Sequence, residues 1–162
     1  MPSPHDHHAC VDKALKAADE ICLHRGVRLT PVRRKVLELI WEGHQAVKAY
    51  DLLDRIRPFD FAAKPATVYR ALEFLLANGL IHRVESLNAF VGCNSSETRH
   101  DHQLLLICSN CQEVEERPAT EVMGALQEEF DSAGFRAQRK AIEVHGRCRK
   151  CEADRGAETG QG

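Results

Sequence analysis

The sequence predicts an α+β fold in two parts: an N-terminal winged helix-turn-helix, then a small α/β dimerisation domain with a four-cysteine zinc site. Three observations lead there. Four segments of helical periodicity precede two short β-rich runs in the first half. Two Cys-x-x-Cys pairs, Cys108-Ser-Asn-Cys111 and Cys148-Arg-Lys-Cys151, bracket a helical segment in the second half and supply four thiolates suited to one tetrahedral zinc ion. The charge also changes sign along the chain: thirteen Lys and Arg against ten Asp and Glu through residue 84, then nine against fourteen from Glu85 onward. A basic part beside an acidic, cysteine-bearing part suggests one region for a polyanion and another for something else.

The elements follow from local chemistry. Asp12 to Cys22 carries Ala14, Leu15, Ala18, Ile21 and Cys22 at three- and four-residue intervals, and Arg25-Gly-Val-Arg-Leu breaks the helix. Thr30-Pro31 starts the next, with Thr30 as cap and Pro31 in the first turn, where its missing N–H does no harm. Val32, Val36, Leu37 and Ile40 make its apolar side, and Gly43 stops it. A third helix spans Ala49 to Arg57 and closes at Pro58. The fourth runs from Pro65 to Asn78-Gly79, with Val68, Leu72, Leu75 and Leu76 on one side and Ala66, Arg70, Glu73 and Ala77 on the other. Leu80 to Glu85 and Ala89 to Cys93, joined by Ser86-Leu-Asn, read as a hairpin. Helices plus hairpin make a winged helix-turn-helix, whose ordinary task is reading the major groove.

Asn94-Ser-Ser-Glu-Thr-Arg-His is polar and aperiodic, so a boundary belongs there. Beyond it, Leu104 to Cys108 and Glu113 to Arg117 read as strands, Thr120 to Ala133 as a helix capped by Thr120, and Ala137 to Val144 as a third strand. That is too little core for independence, so a dimer stapled by the zinc is expected. The domains are then a flexible tail over 1–11, a winged-helix DNA-binding domain over 12–93, a connector over 94–103, the dimerisation domain over 104–151 and a flexible tail over 152–162. With 43% hydrophobic and 28% charged residues the chain can bury a core. Its first residues lack a basic start and an apolar run, and no stretch is long enough to span a bilayer, so a cytoplasmic protein is expected. His5, His7 and His8 read as a histidine-bearing tail, and Cys10 and Cys22 as plain thiols. No nucleophile elbow, Gly-rich phosphate loop or His-Glu-x-x-His helix is present, which argues against an enzyme acting on a small-molecule substrate.

In combination, Arg28-Leu-Thr-Pro-Val-Arg-Arg, Ala49-Tyr-Asp-Leu-Leu, Lys64-Pro-Ala-Thr-Val-Tyr-Arg-Ala-Leu and the two cysteine pairs resemble the ferric uptake regulator (Fur) family, and within it the zinc uptake regulator branch. The resemblance covers about residues 12 to 151. It implies a homodimeric, metal-responsive repressor that binds double-stranded operator DNA and shuts off zinc-uptake genes when zinc is plentiful. It also implies two zinc ions per subunit: a structural one on Cys108, Cys111, Cys148 and Cys151, and an exchangeable regulatory one. Matched residue by residue, the regulatory ligands are His82, Cys93, a connector histidine (His102 or His100) and Glu116. Taken singly, His82 also fits a partly buried wing histidine and Cys93 a buried thiol. A thiolate among imidazoles favours zinc over iron.

For DNA, Arg70 is the base-reading residue, since a guanidinium grips guanine O6 and N7 together. Tyr50 is a contact to thymine or phosphate, Tyr69 lies at the edge of the apolar side, and Thr67 belongs to the same motif. Arg28, Arg33, Arg34 and Lys64 are the phosphate contacts. A further histidine- and carboxylate-rich site of some family members is not expected, because the matching stretch holds Met123 and Lys140, and His145 is read as non-ligating. The competing readings are a same-fold sensor of iron, nickel or peroxide, and a thiol-redox switch on Cys108 and Cys111.

Overall fold

A computed structural model describes residues 7–94, 103–138 and 141–158. The chain divides into two compact units, Met1–Ser96 and Glu97–Gly162.

The first unit is built from four helices and a wing. Helix α1 (His7–His24) begins before Asp12, where the sequence reading has a tail. Helix α2 (Pro31–Trp41) starts as its residues dictate: Thr30 accepts the Arg33 N–H and Pro31 fills the first turn. Helix α3 (Ala49–Ile56) buries one side through Leu52, Leu53 and Ile56. Helix α4 (Pro65–Ala77) buries Val68, Ala71, Leu72 and Leu75, and Leu76 packs against the same core half-buried. Its end is a Schellman motif, with the Gly79 N–H bonded to the Leu76 carbonyl and the Leu80 N–H to that of Leu75. This needs Gly79 at φ 67°, a left-handed conformation that a Cβ would penalise.

Strands β1 (Ile81–Val84) and β2 (Ala89–Gly92) pair antiparallel, with His82 opposite Val91 and Ile81 opposite Gly92. The connection is a single 3-10 turn over Glu85–Leu87 followed by Asn88 at φ 47°. Asn tolerates that left-handed position, and Arg83 Nη2 donates to its side-chain oxygen at 3.1 Å. Val47 and Phe90 exchange two backbone hydrogen bonds of 2.8 Å, adding a short third rung to the wing. The core of this unit is one continuous cluster from Leu15 in α1 to Phe90 in β2, with Val36, Leu52, Ile56 and Leu75 fully enclosed.

The second unit is a three-stranded sheet of order β4-β3-β5, formed by β3 (Gln103–Cys108), β4 (Val114–Arg117) and β5 (Ala141–Gly146), with helices α5 (Thr120–Ser132) and α6 (Arg149–Glu158). Strand β3 is antiparallel to β4 and parallel to β5. Three expectations are corrected here. The cap of α5 is Ala119, without a side-chain cap bond, and Thr120 is already helical. Strand β5 begins at Ala141, and Arg139 and Lys140 lie outside the described residues. From Glu152, where a flexible tail is expected, α6 continues to Glu158, because Glu, Ala and Arg sustain the turn that the Cys148–Cys151 segment starts. Among the described residues few apolar side chains of this unit are buried: Leu105, Ile107, Ala119 and Met123, beside Cys108.

Candidate metal centre and nucleic-acid interface

Backbone geometry gathers the four cysteines. After β3 the chain turns tightly: the Gln112 N–H bonds to the Cys108 carbonyl, the Cys108 N–H bonds to that of Glu113, and Gln112 takes φ 62°. The Ser109 N–H bonds to the Gly146 carbonyl at 2.8 Å, carrying the parallel β3–β5 ladder one step on and bringing Cys148 to Cys108. One Sγ from each of Cys108, Cys111, Cys148 and Cys151 lies within 4.8 Å of every other. Cys111 Sγ and Cys148 Sγ are 3.8 Å apart. A tetrahedron with Zn–S bonds of about 2.3 Å has S···S edges of about 3.8 Å, so the donor set fits zinc in spacing as well as in softness.

Hydrogen bonds surround these sulfurs. The Cys148 N–H donates to Cys108 Sγ at 3.3 Å, and Asn110 Nδ2 donates to Cys151 Sγ at 3.2 Å. Glu113 stands 3.8 Å from Cys111 Sγ and 3.5 Å from Lys150 Nζ. Backbone hydrogen bonds from Cys111 and Cys148 hold the Cys108 thiol down at about 6. For Cys111 the backbone N–H of Glu113 pulls the same way, but burial and the neighbouring cysteines outweigh it and push this thiol up to about 12. Cys151 is lowered by the Asn110 amide, yet Cys148 and burial leave it raised. One sulfur ionises readily and others keep their protons until a cation displaces them. Asn110 and Glu113 escape a search for metal ligands, since neither is one. Their signal in the sequence is adjacency, inside and just after the first Cys-x-x-Cys.

The remaining metal candidates fall on both units. In the first, His82 is buried, 3% exposed, in β1. Cys93 directly follows β2, its N–H bonded to the Leu80 carbonyl at 3.1 Å. Because His82 pairs with Val91 and residues two apart share a face, His82 and Cys93 are diagonal neighbours on one face of the hairpin. The other face, at Gly92, is covered by Trp41, whose ring atoms come within 2.2 Å of where a Cβ would stand. In the second unit Glu116 is half-buried in β4 opposite Leu105, on the opposite face from the exposed Glu115–Arg117 ion pair. His100 and His102 lie outside the described residues. His145 is exposed in β5 opposite Ile107 and is not one of the four-sulfur group. Cys22 is buried in the core of the first unit, where burial chiefly pushes its thiol up, Asp19 adds to the rise, and Arg25 and Arg33 oppose it.

Lys64, the N-cap of α4, and Tyr69 and Arg70 within that helix are exposed to solvent, and Tyr50 is exposed at the start of α3. Thr67 is half-buried and accepts the Lys64 N–H at 3.2 Å, so its hydroxyl serves the start of the helix. Arg28 is exposed in the loop before α2. The two arginines of α2 are engaged within the unit. Arg34 reaches both carboxylate oxygens of Asp19 in α1, at 2.7 and 2.6 Å. Arg33 lies over the Phe74 ring, 3.7 Å from its centroid, and donates to the Arg28 carbonyl at 2.8 Å.

A winged helix with an exposed arginine on its fourth helix, on one chain with a four-thiolate centre, defines a metal-associated winged-helix protein. The chain belongs to the ferric uptake regulator family, whose model matches residues 24–145. It is 42% identical over 137 residues to the zinc uptake regulation protein of Escherichia coli strain K12, covering 85% of this chain and 80% of that protein. Among solved structures it is similar to a zinc uptake regulator complexed with zinc and DNA, at 39% identity and a TM-score of 0.86 over 90% of this chain and 97% of that one. It is also similar to holo XcZur, at 43% identity and a TM-score of 0.80 over 86% and 96%. Among the described residues no helix is long and apolar enough to cross a membrane.

Proposed function

We propose that this chain is a zinc-responsive transcriptional repressor of zinc-uptake genes, a regulator and not an enzyme, acting in the cytoplasm as a homodimer on operator DNA. The observation that carries the reading is the four-sulfur cluster with its zinc-sized edge, in a chain similar over 90% of its length to a regulator solved with zinc and DNA. The exposed Arg70 and Tyr50 supply the major-groove chemistry, and Arg28 and Lys64 the phosphate chemistry. Leu106 and Val144, cross-strand neighbours exposed on one face of the second unit's sheet, support a second copy as its cover.

Two zinc sites per subunit divide the work. The four cysteines would hold a closed site, which contributes to folding and exchanges slowly. His82 and Cys93 of the first unit, with Glu116 and His102 or His100 of the second, would hold the exchangeable one. Its thiolate and carboxylate neutralise a divalent cation and its imidazoles complete four donors. The burial of His82 and the shared face of His82 and Cys93 support this assignment. Ligands drawn from both units make metal and operator binding promote each other, and taking the binding-competent state from rare to dominant needs a differential of about 5.5 kcal/mol.

The test is a titration of free zinc and free iron(II) against operator binding, for wild type and Cys93→Ser, with the four-cysteine site kept loaded. Zinc should drive binding of wild type at far lower free concentration than iron, and Cys93→Ser should lose that preference. An iron preference in wild type would instead establish a same-fold iron sensor. Oxidation that sets operator affinity at constant zinc would establish a thiol-redox switch.

A further inference from the structure

Of the four basic residues that the sequence offers for phosphate, Arg33 has a side chain with a different set of neighbours. Its guanidinium stacks on the ring of Phe74 in α4, 3.7 Å from the centroid, and its Nη1 donates to the Arg28 carbonyl at 2.8 Å. Its own backbone N–H is held by Thr30 at the start of α2. The residue is half-buried. Its ring-facing side and one N–H donor are thus committed to partners within the unit. Both partners lie beside proposed DNA contacts. Phe74 is one helical turn beyond Arg70, so the two side chains are neighbours along α4, and the accepted carbonyl belongs to Arg28 itself.

We propose that Arg33 is a positioning residue for DNA reading: from α2 it clamps the recognition helix, through Phe74, and the Arg28 loop, through the Arg28 carbonyl, and it holds no phosphate. The assignment rests on the DNA-binding function proposed above. It follows from planar geometry, since a guanidinium offers a flat face to the ring and an in-plane N–H to the carbonyl at once, which an ammonium does not. Lysine would keep the charge and lose the clamp. The bidentate grip of Arg70 on a base requires a fixed helix pitch, whereas a non-specific phosphate contact tolerates a looser one.

The experiment uses full-length, zinc-loaded protein and measures binding to operator and random duplexes over a salt series, with thermal unfolding followed in parallel. Arg33→Lys should lose about tenfold on operator DNA and far less on random DNA. Its salt slope should stay unchanged, because lysine keeps the charge, and Arg33→Ala should leave the slope unchanged too, because no phosphate contact is removed. Phe74→Leu, which removes the ring but stays apolar, should give the same selective loss, and the double variant should lose no more than either single one. Full retention of operator affinity in Arg33→Lys would overturn the proposal. So would equal losses on both duplexes in Arg33→Ala with the salt slope lowered by about one unit, the signature of a phosphate contact. Failure of the wild-type protein to prefer operator over random DNA would sink the DNA-binding function itself, and would show as no effect of Arg70→Ala either.

Discussion

The two units are held together by different physics. The first encloses a continuous apolar cluster drawn from all four helices and the wing, so hydrophobic burial is its main stabilising term. Among its described residues the second encloses four apolar side chains and a cysteine, leaves Leu106, Val122, Phe135 and Val144 exposed, and collects four sulfurs at the end of β3 and β5. A domain with so little buried apolar surface needs a metal, a partner or both. The contrast teaches where regulation by metal can enter. Loss of the four-cysteine metal should act on the second unit and leave the winged unit's own fold intact.

The sharpest way to break this contrast is to remove one sulfur. Cys148→Ser leaves three thiolates, and structural zinc in such sites contributes about 10–16 kcal/mol to folding. Hydrogen exchange should show protection lost throughout β3, β4 and β5, while α2 and α4 exchange as in wild type. Next in size is Leu37→Ala, which empties a fully enclosed site of the first unit. It should cost about 2–5 kcal/mol of that unit's stability in denaturant titration and leave zinc content unchanged.

Gly92→Ala sharpens the comparison within the wing. The new methyl would meet the Trp41 ring, so either the ring or the strand must move. A loss of about 1–3 kcal/mol is expected, with a change in Trp41 fluorescence, the chain's single tryptophan, as the direct reading. The smallest effect concerns protons. Cys111 and Cys151 carry raised thiols and are protonated at neutral pH, whereas Cys108, near 6, is already largely ionised. Zinc loading must therefore release protons, so apparent zinc affinity rises with pH, and the rise is steeper below about 6, where Cys108 is protonated too. Calorimetry in buffers of different ionisation enthalpy measures the number released.

Much of this was legible in the residues, for reasons that differ by element. Thr30-Pro31 and Asn78-Gly79 mark helix ends because capping and left-handed termination are local chemistry. The cysteine pairs reveal a shared centre because two short thiolate spacings leave few other uses for them. What stayed hidden depends on contacts across elements. The cap of α5 fell on Ala119, which carries no capping side chain and so leaves no sign. Strand β5 pairs parallel with β3, and a parallel register has no turn sequence to announce it. Arg33 looks like any surface arginine until Phe74, forty-one residues away in the chain, is seen beneath it.

The central claim is that exchangeable zinc, separate from the four-cysteine zinc, controls operator affinity. The most direct measurement takes one sample of the zinc-loaded protein, treats it with a chelator mild enough to leave one zinc per chain on the thiolates, and compares operator affinity before and after. Affinity should fall by about 5–150-fold and return on adding zinc. Unchanged affinity after the zinc count drops from two to one per chain would contradict the account.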